Sequence, residues 1–401
     1  MHGPEEDASM PVNHHRPLNR PRERLLWLDS LRGFAILGVV LVHCGERPLS
    51  STLLAHAASA GQYGVQLFFI VSAITISMTY RQHLKRYGAS AISASAWLIR
   101  RIFRIWPLFA IAAVLYTIED KILVSHLGEM AAPTIHGFDV VTTLLFISPW
   151  IPTVHTAVPG GWSICVEAIF YSFFPILMIG RGKPYFLGIL GFFAMILLAI
   201  AEFFNYRTSG IFAIINNSFF YFWPPTQLPV ILIGCIFFFV FLDDESPVRQ
   251  PNPWLLGVLF LGLSSLGLIL GTTGNVSPGL APSILALAFC CLALLARTDR
   301  FQLITNRWIS NIGICSYSIY LVHFAVIDLL RLVLKALGIS KVQAGIIFLA
   351  VIYISVLAVS YYIASWSRRL IELPSIEIGR RLSVRLLVNA RLITAAPQQT
   401  G

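Results

Sequence analysis

An arginine and a histidine share the first long apolar run of this 401-residue chain, Leu28 to Glu46 (LDSLRGFAILGVVLVHCGE). Arg32 and His43 are 11 positions apart, which on a helix is roughly 16 Å along the axis and about three turns, so both fall on one face. Burying a guanidinium and an imidazole among Leu, Val, Ile, Phe and Gly is costly, and ionisable residues inside a membrane segment read as functional by default. The competing reading has Arg32 snorkelling to the lipid headgroups and His43 capping the far end of the run. A second unexpected residue is Glu167, in the apolar run that follows Pro159-Gly160-Gly161-Trp162. A histidine with a carboxylate can activate a hydroxyl: the imidazole takes the proton, and the carboxylate orients it and stabilises the imidazolium. The alternative is a structural hydrogen bond joining two helices.

A different chemistry is offered by Leu98-Ile99-Arg100-Arg101-Ile102-Phe103-Arg104-Ile105-Trp106-Pro107, where Arg100 and Arg104 are one turn apart with Arg101 beside them. Planar guanidiniums suit the phosphates of an anionic cofactor, although a basic cluster at the cytoplasmic mouth of a span is also common. Gln66 and Ser72 bracket the aromatic run of Gly64–Ser72, where Gln66 either lines a cavity or bonds a neighbouring helix. In Ser316-Tyr317-Ser318-Ile319-Tyr320-Leu321-Val322-His323, the i,i+3 spacing sets Tyr320 beside His323, as a substrate contact or as glue between helices. Glu202 and Asp328 fall near the expected outer ends of spans, where interfacial exposure explains them. The six cysteines lie in apolar runs without CxxC or His-rich spacing and read as small buried hydrophobes, so no metal site is expected. No Walker, GxSxG, HExxH or dinucleotide motif occurs in a fitting context.

The elements that must position these residues follow from composition. Hydrophobic residues make up 56% and charged residues 12% of the chain, with a mean hydropathy of +0.74. That leaves too little polar surface for a soluble globule and predicts an integral membrane protein. Apolar segments long enough to span are expected at about 27–46, 62–80, 99–118, 161–179, 185–204, 226–242, 254–271, 279–296, 311–333 and 343–366. Val140 to Ile151 and Ile211 to Trp223 are shorter, and read as interfacial or re-entrant. The expected fold is therefore an all-α polytopic bundle of about ten transmembrane helices. Placing both termini in the cytoplasm puts most of the 29 Lys and Arg on the cytoplasmic side, as the positive-inside rule requires. In that topology Arg32 lies toward the cytoplasm, and His43 and Glu167 lie at a similar depth in the outer third. Residues 1–25, polar and without a cleavable signal, are expected to be a disordered cytoplasmic tail, 26–370 the transmembrane domain, and 371–401 a cytoplasmic C-terminal tail.

Taken together, these motifs resemble the acyltransferase-3 family of membrane O-acyltransferases over about residues 26 to 370. The resemblance rests on Leu28-Asp29-Ser30-Leu31-Arg32-Gly33 continuing to His43, on Gly64–Ser72, on Arg100–Pro107, on Gly161-Trp162-Ser163-Ile164-Cys165-Val166-Glu167 with Phe170-Tyr171, and on Ser316–His323, in the family's order. It implies a stand-alone form without an SGNH domain, ten core helices and an acyl-CoA donor, with acetyl-CoA foremost. It also implies an essential histidine and glutamate, which fall on His43 and Glu167, and donor handling by Arg32, Arg100, Arg101 and Arg104. Gln66, Tyr320 and His323 are then candidate substrate contacts, with Gln66 standing where many members carry an acidic residue and Ala73 replacing a common glycine. Cys44 is a minor alternative as an acyl-thioester nucleophile. The acceptor expected is a hydroxyl of a surface polysaccharide, lipopolysaccharide or other glycan, at a bacterial inner membrane. Alternatives are O-acylation of a small metabolite such as a macrolide or, from a different class, a transporter whose buried charges line a permeation path.

Overall fold

In a computed structural model, the structure describes residues 23–45, 52–127, 135–152, 154–180, 186–208, 218–246, 248, 251–272, 279–298, 304–338 and 345–395. Among these residues there is no strand, and the chain runs through fifteen α-helices. They are α1 (Glu23–Cys44), α2 (Thr52–Ser59), α3 (Gly64–Tyr87), α4 (Ala91–Leu127), α5 (Gly137–Leu144), α6 (Trp162–Leu177), α7 (Phe186–Thr208) and α8 (Ser218–Phe222). There follow α9 (Pro224–Phe237), α10 (Pro253–Thr272), α11 (Leu280–Arg297), α12 (Arg307–Ile314), α13 (Ser316–Ala336), α14 (Ile346–Ser367) and α15 (Leu373–Ala395). Most of the expected N-terminal tail, residues 1–22, lies outside the described residues, and Glu23 to Leu25 already belong to α1.

Seven helical stretches among the described residues are long and apolar enough to cross a membrane, and Trp162–Leu177 and Phe186–Ala201 are shorter apolar helices. The expected segment at 99–118 lies in the long α4, which contains Pro107 and carries arginines at one end and Glu119, Asp120 and Lys121 toward the other. Apolar side chains that a soluble protein would bury stand outward. The spanning window of α10 is 11% buried, and Trp254, Leu255, Val258 and Leu261 on it are exposed. In hydrocarbon such a surface needs no protein cover, and every backbone polar group is satisfied inside its own helix.

α1 sits at the centre, packed by α3, α11, α12, α13 and α14, with Leu28, Leu31, Ala35, Ile36, Val39 and Val40 essentially inaccessible. Lipid tails are as apolar as Leu, so helices in a membrane associate through close backbone approach, and small residues mark the contacts. Gly313 of α12 lies directly on α1: a Cβ there would come 1.7 Å from the Asp29 carbonyl oxygen. A Cβ on Gly61, in the turn before α3, would come 2.2 Å from the Gly38 carbonyl.

Of the two short apolar stretches, the first forms α5 and a 3-10 turn at Ser148–Trp150. Phe146 joins them at a φ of +61°, a conformation unfavourable for a bulky residue, which stacks its ring 5.6 Å from that of Phe109. The second stretch is described only from residue 218, as α8. At the C-terminus, the expected tail is the helix α15 laid along α4. A Cβ on Gly379 would meet the Phe103 side chain at 2.5 Å, and Arg100 Nε donates to Ser383 Oγ at 2.8 Å.

Gly313→Ala forces backbone against backbone at the α1–α12 contact and is expected to cost about 1–3 kcal/mol. The readout is a lower thermal transition of the detergent-purified protein. Gly257→Ala, where a Cβ meets nothing within 4 Å, is expected to leave the transition in place.

Candidate active site

Arg32 is fixed by its own helix and by α3: Nη1 donates to Asp29 Oδ1 at 2.8 Å, and Nη2 donates to Thr75 Oγ1 at 2.8 Å. The Thr75 hydroxyl in turn donates to the Val71 carbonyl at 2.7 Å, which leaves its lone pairs facing the guanidinium. Thr79, one turn on, repeats the arrangement. It donates to the Thr75 carbonyl at 2.7 Å and accepts from Arg101. Ser72, one turn before Thr75, donates to Glu167, which also accepts from Tyr171. A hydroxyl stripe on α3 at 72, 75 and 79 thus holds a carboxylate and two arginines from three other helices.

Except for Thr79, these side chains line one cavity of about 410 Å³, together with Arg104, Tyr317 and Tyr320, and with Arg368 and Glu372 beyond α14. Arg101 is buried, its guanidinium 5.1 Å from the Trp97 ring centroid and 5.8 Å from that of Tyr171, so aromatic faces offset part of its lost hydration. Arg368 and Glu372 bound a π-helical turn, Arg368–Glu372, between α14 and α15, a device that often re-aims side chains at functional sites. Glu372 accepts from Ser318 Oγ at 3.1 Å. Arg368 Nε is buried without a hydrogen-bond partner. The cavity therefore gathers four arginines against three carboxylates, one of which, Asp29, is already paired with Arg32.

His43 lines a second, larger cavity of about 900 Å³ with Tyr116, Glu119, Asp120, His155, Trp162 and Asp328. Its ring packs 4.3 Å from Phe324 and 5.4 Å from His323. The loop that walls this cavity is tied to α5, as Asp139 accepts from His155 N at 3.2 Å and Thr143 from Ala157 N at 2.9 Å. Val65 and Tyr320 line both cavities.

The expected His43–Glu167 pair is not formed. Glu167 is bonded to Ser72, and Ser72 lies three residues, about 4.5 Å of helix rise, from the threonine that holds Arg32. Glu167 is thus level with Arg32, and His43 lies farther along α1. The arginine cluster divides: Arg101 and Arg104 face the first cavity, whereas Arg100 is turned to Ser383 of α15. Gln66 is fully buried and lines neither cavity; it donates to Gln227 Oε1 at 3.0 Å and Tyr221 Oη at 3.1 Å, joining α3 to the α8–α9 segment. His323 is also fully buried behind His43, its Nδ1 2.7 Å from the Tyr320 carbonyl of its own helix. Cys44 lies in the hydrophobic core. Thr75, Thr79, Arg368 and Glu372 escaped the sequence reading. The i, i+3, i+7 recurrence of Ser72, Thr75 and Thr79 was a signal for the first two.

The comparisons with known proteins define the class. The chain belongs to the Acyl_transf_3 family, described as an acyltransferase domain, which its residues 25–365 match. It is 26% identical over 337 residues to the Staphylococcus aureus (strain COL) protein named "Putative O-acetyltransferase SACOL0978", covering 75% of this chain and 50% of that one. To O-acetyltransferase OatA of Staphylococcus aureus (strain NCTC 8325 / PS 47) it is 24% identical over 327 residues, with the same two shares. The chain thus spans about half the length of the curated relatives it matches. No solved structure matches it.

Tyr171→Phe keeps the ring against Trp97 and Arg101 but removes one donor to Glu167. A hydrogen bond to a charged group is worth about 1.5–3 kcal/mol, so this variant is expected to unfold at lower temperature than the wild type. Tyr361→Phe, at an exposed ring, is the control expected to show no change.

Proposed function

We propose that the chain transfers an acyl group, acetyl foremost, from cytosolic acyl-CoA to a hydroxyl of a surface polysaccharide, lipopolysaccharide or other glycan. The observation that carries this reading is the pair of adjacent cavities, one rich in arginine and the other holding His43, with Tyr320 and Val65 common to both. Arginine forks match phosphate oxygens bidentately, and Arg368 retains an unpartnered buried donor, so the first cavity fits an anionic donor. The names of the relatives support acetyl as the group and oxygen as its acceptor.

The host is a ten-span bundle, counting α4, α6 and α7 with the seven long apolar stretches. Both termini lie on the cytoplasmic side of a bacterial inner membrane, which puts α4's arginines at the donor's side, in keeping with the excess of Lys and Arg there. Arg32, Arg101, Arg104 and Arg368 hold the donor, and Arg100 supports them from behind by fastening α4 to α15. His43 takes the proton of the acceptor hydroxyl. The carbon–oxygen bond forms as the carbon–sulfur bond breaks, and the proton leaves with the thiol of CoA. Glu167, in this geometry, does not orient His43; as a carboxylate in the donor cavity it balances Arg32 and Arg101.

Purified protein given labelled acetyl-CoA and an O-deacetylated glycan is expected to release the CoA thiol. Loss of a general base costs about 10² to 10⁴ in rate, so His43→Ala is expected to fall by that factor with little change in KM for acetyl-CoA. Glu167→Gln is also expected to be impaired. Full activity in either variant overturns its assignment. Solute flux in proteoliposomes without thiol release identifies a transporter instead. Labelling of a macrolide in place of the glycan identifies a small-metabolite acceptor.

A further inference from the structure

The two cavities meet at one side chain. Tyr320 of α13 donates its hydroxyl to the Gly160 carbonyl at 2.8 Å and shares a second hydrogen bond, also 2.8 Å, with Ser163 Oγ. Ser163 lines the arginine cavity and Gly160 the histidine cavity, so the phenol is fastened to one wall of each. Gly160 has a φ of +72°, and a Cβ there would sit 3.0 Å from the Tyr320 hydroxyl. A residue with a side chain would be strained at that φ and would crowd the phenol. The ring of Phe68 stands edge-on to that of Tyr320 at 6.2 Å, and Val65, almost fully buried, also lines both cavities.

We propose that Tyr320 and Val65 form a selectivity partition that sets the length of the acyl chain this protein transfers. The proposal rests on the transferase reading above. A thioester carried into the arginine cavity must present its acyl carbon to the side where His43 stands, and the route passes the Tyr320 ring. The acyl chain itself must then be housed between that ring and Val65. An acetyl group asks for the least room, and each further methylene must also be fitted beside the Tyr320 ring and Val65. The hydrogen bonds to Gly160 and Ser163 hold the ring where it restricts the passage.

The test is a donor series of acetyl-, propionyl-, butyryl- and hexanoyl-CoA. Thiol release is followed for the wild type, Val65→Ala, Tyr320→Ala and Tyr320→Phe, each checked as folded by size-exclusion chromatography and its thermal transition. A methylene in a close-fitting pocket changes kcat/KM by about tenfold or more. The wild type is therefore expected to lose about that factor per added methylene. Val65→Ala and Tyr320→Ala are expected to raise the butyryl-to-acetyl ratio of kcat/KM by about tenfold or more. Tyr320→Phe keeps the ring but loses both hydrogen bonds that hold it, so its butyryl-to-acetyl ratio is expected to fall between those of the wild type and Tyr320→Ala. The partition is overturned if folded Val65→Ala and Tyr320→Ala retain the wild-type chain-length profile, if the wild type uses hexanoyl-CoA as readily as acetyl-CoA, or if both enlarged variants are inactive with every donor. A wild type that releases no thiol from any donor removes the transferase reading, and this proposal with it. A wild type that does release thiol, while the variants' ratios stay fixed, removes the partition alone.

Discussion

A guanidinium inside a helix bundle must be given partners by the bundle itself, and that requirement organises this protein. Arg32 is held by a carboxylate three residues earlier on its own helix and by a threonine of α3. That threonine can accept because its proton is already engaged with the carbonyl one turn back. The arrangement demands that α1 and α3 lie close together and in fixed register. Close approach of α1 to its neighbours is what Gly38, Gly61 and Gly313 permit, each with another backbone where a Cβ would stand. The small residues and the buried charge are two parts of one constraint: without the close α1–α3 contact Arg32 keeps only Asp29, and the donor that faces Thr75 is left unsatisfied, at a cost of about 1–3 kcal/mol.

The same economy shapes the rest of the cavity. Glu167 is satisfied by hydroxyls from Ser72 and Tyr171, and Arg101 by a hydroxyl and two aromatic faces. Groups satisfied by neutral partners keep their formal charge available to a ligand. In a closed guanidinium–carboxylate pair, by contrast, most of that charge is spent within the protein. The second cavity is of another kind, with aromatic rings, Glu119, Asp120 and Asp328 around His43. An anion entering it would meet those carboxylates as like charges and be repelled.

Much of this was legible in the sequence. Apolar length identified a helical membrane protein, and the misfit residues Arg32, His43, Glu167 and Arg101 all reached the cavities. What composition and spacing do not convey is depth relative to other helices. Glu167 was set level with His43 by counting from the ends of spans; α6 begins at Trp162, close to the expected start, yet its carboxylate meets Ser72 of α3, one turn from the threonine that holds Arg32. Periodicity also cannot say which of three neighbouring arginines faces inward. Arg100 differs from Arg101 by one helical step of about 100°, and that step turns it to Ser383, on a helix that the sequence offered only as a tail. Gln66, polar among aromatics, was open to two readings, a cavity wall or a bond to a neighbouring helix; it donates to Gln227 Oε1 and Tyr221 Oη, and its own Oε1 is buried without a hydrogen-bond partner.

The π-helical turn at Arg368–Glu372 has a consequence for how the chain tolerates change. An α-helix and a π-helix of equal span differ by an inserted residue, and one residue is about 100° of rotation. Up to Ser367 the helix shows much of its surface to lipid; from Leu373 onward the same continuous rod must aim Gly379 and Ser383 at α4. The turn is the phase correction between these two requirements. A single-residue deletion there would leave both helices intact and all their side chains present, yet it would rotate α15 out of phase with α4 and move Arg368 relative to Glu372. At this junction the length of the chain, counted in whole residues, carries structural information that no substitution could restore.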